Sequence, residues 1–295
     1  MMKYKPMLAH PVGGYERIKD EDWPLYSQHK LDGVRCLIQS ENVEYHEPNT
    51  GRLIKAQAVK AYSRTGKEWK NIDHILVELI PFFQKHPNVV LDGELYNHKF
   101  KDDFEQIISM VRKTKPTDYD RKVSKTCVQF HCYDMVNRKM NFKTREAWLW
   151  NNLPTGFGIK TVPSYRVDDT EEVDVYHEKS LDAGYEGSIL RKDKPYECKR
   201  SWNLQKVKDF EDSEALLLDW VEGLGKRKGT IGKFMAQDMD GNVFGMPVMD
   251  KFKYLQDNFE EMKTWVGKMA TFKYFERTKV GSYRHPLFKA IRDYE

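Results

Sequence analysis

The feature that most constrains this fold is a change of pattern near residue 209. Upstream of it, apolar runs of two different periods alternate. Residues 34–39, 87–96 ("PNVVLDGELY") and 128–136 ("VQFHCYDMV") are short, rich in β-branched and aromatic residues, and read as strands. "NIDHILVELIPFF" places Ile72, Ile75, Leu76, Leu79 and Phe83 at helical spacing, predicting a helix of about three turns. "DDFEQIISMVRK" (102–113) predicts a second helix, and residues 170–183 a third that ends at Gly184. Downstream, "GKRKGTIGKFMAQDMDGNVFGM" and "VGKMATFKYFERTKVGSYRHP" read as short strands separated by glycine turns. Asp240-Gly241-Asn242 marks a hairpin, and one helix is expected over about 251–264. A chain of 295 residues is large for one core and ample for two. The expectation is an α+β protein with domains 1–208 and 209–295, the second a small β-barrel of OB type.

With 40% hydrophobic and 32% charged residues, the composition is that of an ordinary globular protein. No apolar run approaches the roughly 20 residues a membrane span needs. The start "MMKYKPMLAHPVGG" has no apolar secretory core, so a cytoplasmic protein is expected. Cys36, Cys127, Cys132 and Cys198 show no zinc-like spacing and read as reduced thiols. The net charge of +4 is unevenly spread: residues 1–208 carry +5, residues 209–262 carry −6 and residues 263–295 carry +5. Two basic regions suit a polyanion held between them, although solvated faces give the same pattern.

"HKLDGVRCLIQS" (29–40) admits two readings. Asp32-Gly33 is a strong hairpin signal, so the plain reading is a β-turn with Lys30 and Arg35 in solvent. The other is a nucleophilic lysine in a phosphate-binding pocket, and the rest of the chain decides whether that pocket exists. "SRTGK" (63–67) adds Arg64 beside a glycine turn, and "LDGELY" (91–96) puts Asp92 and Glu94 on one strand face. "CYDMV" adds Tyr133, "YEGSILR" (185–191) adds Glu186, and "LQKVK" (204–208) sets Lys206 and Lys208 on one face. Each alone suits a wet strand or a core ring.

In this order, with "KPMLA" (5–9) ahead of them, these stretches resemble the nucleotidyltransferase motifs of ATP-dependent DNA ligases over essentially the whole chain. The resemblance implies an antiparallel-sheet nucleotidyltransferase (adenylation) domain followed by the OB-fold. It further implies ATP as AMP donor, Mg²⁺ (or Mn²⁺) as cofactor, and nicked double-stranded DNA as the partner of a monomer. Lys30 would attack the α-phosphorus of ATP to form a lysyl-AMP. AMP would pass to a nick's 5′-phosphate, and the 3′-hydroxyl would then displace it. A lysine is protonated at neutral pH and becomes nucleophilic where burial and nearby cations favour its neutral form.

By the same resemblance, Glu94 would bind the ribose, Tyr133 would stack on adenine and Glu186 would hold the metal. Lys206 and Lys208 would contact the α-phosphate. Asp32 would support the lysine loop, while Arg35 and Arg64 would hold the ribose or the nick's 5′-phosphate. Arg200 in "KRSWN" would touch DNA. The end "YRHPLFKAIRDYE" resembles the element that orients pyrophosphate through Arg292, except that Tyr294 stands where a lysine often follows. "GLGKRKGT" (223–230) offers Lys226, Arg227 and Lys228 to DNA but is too short for an encircling latch. The alternatives are a GTP-using capping-type or RNA-end nucleotidyltransferase, and a non-catalytic OB protein that binds DNA.

Overall fold

The computed structural model describes residues 1–11, 17–101, 103–207, 211–274, 276–277 and 281–292. Two compact units divide the chain, Met1–Lys208 and Asp209–Glu295. Among the described residues no helix is long and apolar enough to cross a membrane. All four cysteines are free thiols.

The first unit is built on two five-stranded sheets. One contains β1 (Leu8–Pro11), β2 (Leu25–His29), β8 (Tyr165–Val167), β9 (Ser188–Arg191) and β10 (Arg200–Val207), in the order β1-β10-β9-β2-β8. The other contains β3 (Val34–His46), β4 (Leu53–Tyr62), β5 (Val90–Tyr96), β6 (Gln129–Met135) and β7 (Ile159–Thr161), in the order β4-β3-β5-β6-β7. Neighbours are antiparallel except β1 with β10 and β6 with β7. Helices α1 (Asp73–Glu78), α2 (Ile80–Lys85), α3 (Phe104–Val111), α4 (Asp118–Cys127) and α5 (Phe142–Asn152) belong to the second of these layers. Ile75, Phe83, Ile107, Cys127 and Leu149 pack there with Ile38, Leu91 and Phe130 of the sheet. Helix α6 (Thr170–Asp182) buries Val173 and Tyr176 against Leu25 and Leu190 of the first sheet.

Asp32-Gly33 does not close a hairpin. It lies in the crossing between β2 of one sheet and β3 of the other, so the residues around Lys30 lie where the two sheets adjoin. Gly33 is there for space. A Cβ would fall 2.5 Å from the Leu95 carbonyl oxygen and 2.7 Å from Glu94 Cγ. Gly33→Ala is therefore expected to cost about 1–3 kcal/mol through overpacking, and to lower activity more than stability because Lys30 shifts with it. Urea unfolding beside an activity assay checks this.

The helix expected over 71–83 is two helices. Pro81 has no N–H for the Val77 carbonyl, so the helix stops at Leu79 and restarts with proline in its first turn. The helix over 170–183 ends as expected, with Gly184 at φ +80°.

The second unit holds β11 (Glu211–Glu222), β12 (Ile231–Gln237), β13 (Val243–Pro247), β14 (Met269–Tyr274) and β17 (Leu287–Ile291), an antiparallel sheet ordered β13-β12-β11-β14-β17. The short pair β15 (Glu276–Arg277) and β16 (Tyr283–Arg284) lies beside it in sequence. The Asp240-Gly241 hairpin forms, fastened by Asp238 Oδ1, which accepts from the Asp240 and Asn242 N–H groups at 3.0 and 2.8 Å. The single helix expected over 251–264 is again two, α7 (Phe252–Asp257) and α8 (Phe259–Lys263), interrupted at Asn258.

Candidate active site

Lys30 is fixed by backbone pairing. The β2–β9 ladder ends at His29 opposite Ser188, and two further bonds extend it. The Lys30 N–H donates to the Gly187 carbonyl at 2.9 Å, and the Glu186 N–H donates to the Lys30 carbonyl at 3.1 Å. Gly187 sits at φ +133°, in the region that favours glycine, which allows this extension. The result is an ion pair between Lys30 Nζ and Glu186 Oε2, with side chains 18% and 6% exposed. The charge-bearing end of Lys30 is thus largely withdrawn from water.

Beside Lys30, residues of the two sheets line an open cavity of about 270 Å³. Gln28, Lys30, Arg35, Arg64, Glu94 and Tyr133 line it from one part of the chain, and Ile189, Arg191, Arg200, Leu204 and Lys206 from the other. Arg35 and Glu94 are paired neighbours on β3 and β5, which puts both side chains on one face. Tyr133 reaches them from β6 and donates its hydroxyl to Glu94 Oε2 at 3.2 Å. The guanidinium carbons of Arg35 and Arg191 lie 5.1 and 5.4 Å from the Tyr133 ring centre. Lys206 is half-buried on β10; burial, then the nearby Arg200 charge, lowers its pKa. Arg64 and Arg200 are exposed at the rim, where an incoming anion arrives first.

Glu94 is a strongly perturbed carboxyl. Burial raises its pKa to about 8, against the opposing charge of Arg35, so the resting carboxyl is largely protonated at neutral pH. In the unfolded chain it loses its proton near ~4.3. Between those limits the folded state holds the extra proton, so this group's contribution falls as pH rises from about 4.3 to about 8 and then levels. Glu94→Gln abolishes that titration. Its melting temperature should exceed that of the wild type at pH 9 and match it near pH 4.5, a difference that thermal unfolding at the two pH values measures.

The structure also gives partners to groups for which the motif reading assigned no role. Asp134 is fully buried between two guanidiniums, Arg145 at 2.7 and 3.0 Å and Arg191 at 2.7 Å. Arg191 Nε also donates to Gln28 Oε1 at 2.6 Å, which orients the amide next to the cavity. Asp92 takes both its carboxylate oxygens to Arg35. In the sequence, two arginines eleven residues or more from their aspartate carry no periodic signal.

Of the other expected site residues, Asp32 lies in the crossing loop next to Lys30, and Lys208 lies outside the described residues. Asp293 and Tyr294 lie outside them as well. Lys226, Arg227, Lys228 and Arg292 belong to the second unit. There Lys226 and Lys228 are exposed, Arg227 Nη2 donates to the Val248 carbonyl at 3.1 Å, and Arg292 pairs with Glu214.

The chain matches the ATP dependent DNA ligase domain family over residues 6–208. A DNA ligase of Enterobacteria phage T6 is 25% identical over 238 residues, 66% of this chain and 46% of that protein. The chain thus spans about half the length of the curated relatives it matches. Among solved structures, a Lig E DNA ligase superposes with a TM-score of 0.73 at 23% identity, covering 99% of this chain and 100% of that one. The ATP-dependent DNA ligase of bacteriophage T7, solved in complex with ATP, superposes with a TM-score of 0.53 at 19% identity, covering 98% of this chain and 99% of that one. These likenesses concern the fold, and the family match carries the assignment: the chain belongs to the ATP-dependent DNA ligase domain family.

Proposed function

We propose that this protein seals nicks in duplex DNA with ATP through a lysyl-AMP intermediate on Lys30. The observation that carries the reading is the convergence of Lys30, Arg35, Arg64, Glu94, Tyr133, Arg200 and Lys206 on one cavity, with Glu186 paired to the lysine. In the first step Lys30 leaves that pair and loses one proton to water, and a second as the N–P bond forms. Its nitrogen lone pair forms the bond to the α-phosphorus while the bond to pyrophosphate breaks. Lys206, and Lys208 two residues further on, supply positive charge for the α-phosphate. Glu94 takes the ribose, and Tyr133 offers a face to adenine.

In the second step a 5′-phosphate oxygen at the nick attacks the same phosphorus and returns the electron pair to Lys30. In the third the 3′-hydroxyl forms the phosphodiester and AMP leaves. Arg35 and Arg64 hold the ribose or the 5′-phosphate, where the guanidinium fork suits an anion. Asp32 supports the lysine loop, Arg200 with Lys226, Arg227 and Lys228 contacts DNA phosphates, and Arg292 orients pyrophosphate. The second unit acts as an OB-fold against the duplex, and the protein acts as a monomer.

Among the described residues no group of three or more His, Cys, Asp or Glu side chains could hold a metal ion. Mg²⁺ (or Mn²⁺) takes one or two carboxylates and otherwise water and substrate phosphates. Glu186, next to Lys30, would hold it, and the ion would supply positive charge to the phosphates.

The test is a duplex with one 5′-labelled nick, incubated with ATP or GTP and Mg²⁺. Conversion to the full-length strand with ATP supports the reading. Transfer of label from GTP alone moves the protein to the capping branch. Duplex binding with no joining and no covalent nucleotide leaves a DNA-binding protein.

A further inference from the structure

Tyr196 lies outside every motif that led to the active site, yet its hydroxyl closes a ring of hydrogen bonds behind Arg35. The Met7 N–H donates to Tyr196 Oη at 2.7 Å, and that hydroxyl donates to Asp92 Oδ2 at 2.6 Å. Asp92 in turn receives Arg35 Nε on Oδ1 at 2.6 Å and Arg35 Nη2 on Oδ2. Arg35 Nη2 also donates to the Met7 carbonyl at 3.0 Å, which completes the ring. Met7 and Tyr196 are each 2% exposed and Asp92 is fully buried, so water does not compete for these bonds. Both groups that grip the Arg35 fork, a carboxylate and a backbone carbonyl, belong to residues that Tyr196 holds.

A guanidinium has five N–H donors in one plane. The ring uses the one on Nε and the two on Nη2, and the two on Nη1 have no partner among the described residues. Arg35 lines the cavity, so its remaining donors are the ones a nucleotide can use. Their direction is set by the three bonds behind them. An arginine gripped by Asp92 alone can pivot about the carboxylate, whereas the second anchor on Met7 removes that freedom. The aromatic body of Tyr196 separately packs with Met7 and Leu204, so ring and hydroxyl have different duties.

We propose that the Tyr196 hydroxyl is a positioning group that fixes Arg35 for the nucleotide, acting through Asp92 and Met7. The proposal rests on the adenylation reading above. Its test measures self-adenylation against ATP concentration, and calorimetric binding of α,β-methylene-ATP, for the wild type, Tyr196→Phe, Arg35→Lys and the double variant. Tyr196→Phe should raise the ATP KM and the analogue Kd by about tenfold with kcat within about twofold. In the Arg35→Lys background the same change should cost less than about twofold, because a group acting through Arg35 has nothing left to position.

A folded Tyr196→Phe with unchanged KM and Kd overturns the proposal, and so does an equal loss in both backgrounds. Should Tyr196→Phe fail to fold, Tyr196→4-aminophenylalanine replaces it, keeping a weaker donor toward Asp92. It should raise KM and Kd by about two- to threefold, and leave them unchanged when combined with Arg35→Lys. An equal loss with and without Arg35→Lys overturns the proposal here too. A wild type that binds the analogue but never adenylates refutes the adenylation reading, while the Kd comparison still decides the role of Tyr196.

Discussion

Lys30→Ala should abolish both the covalent nucleotide and ATP-driven sealing, while leaving the fold intact. Nothing else among the cavity's described residues offers an amine in the same place: Lys206 stands on β10 with Arg200 beside it, and Lys30 alone is locked by the Gly187 and Glu186 backbone bonds. Losses on the scale of about 10⁶ accompany removal of a nucleophile when no other group replaces it. The lysine forms a bond in the first step and loses it in the second, but takes part in no bond change in the third. A nick supplied with its 5′-phosphate already adenylated should therefore still be sealed by the variant at a measurable rate. Melting temperature should fall while the chain still folds, because the change takes away the cation beside a Glu186 carboxylate that is only 6% exposed. Gel assays on plain and pre-adenylated nicks separate these outcomes. Full sealing of the plain nick by Lys30→Ala contradicts the assignment.

Asp134→Ala should have the largest effect on stability. The side chains of Asp134 and Arg145 are 0% and 1% exposed and that of Arg191 is 4% exposed, so removing the carboxylate strands two guanidiniums away from water. Breaking a buried pair in this way costs about 3–5 kcal/mol, a large share of what a domain possesses. Arg145 retains the Met140 and Lys194 carbonyls and Arg191 retains Gln28, which moderates the loss without replacing the missing charge. Urea unfolding should show a markedly lower midpoint, with Asp134→Asn between the variant and the wild type. A loss below about 1 kcal/mol would mean that the guanidiniums are hydrated in solution.

What the sequence made legible was local. "KLDGVR", "LDGELY" and "YEGSILR" each carry their chemistry within a few residues, so Lys30, Glu94 and Glu186 could be named before any contact was known. Strand alternation placed Asp92 and Glu94 on one face, but gave no hint that one would be bound to Arg35 and Tyr196 while the other faced the cavity. Asp134, Arg145 and Arg191 look in a sequence like any surface charges, because burial of a charge depends on partners far along the chain. The Asp32-Gly33 turn misled for a related reason. A turn signal says that the chain bends, while the sheet each flank joins is decided by pairing with β5 and β9, distant in sequence. The break between α1 and α2 had a visible cause in Pro81, whose missing N–H outweighs an uninterrupted apolar stripe.

The most direct test of the central claim is to incubate the purified chain with α-³²P-ATP and Mg²⁺, digest it, and identify the labelled peptide. One AMP on Lys30 is expected, released by acid and not by mild base as a phosphoramidate should be, and absent from Lys30→Ala. Label on another residue, or none from protein shown to be free of preformed adenylate, would contradict it.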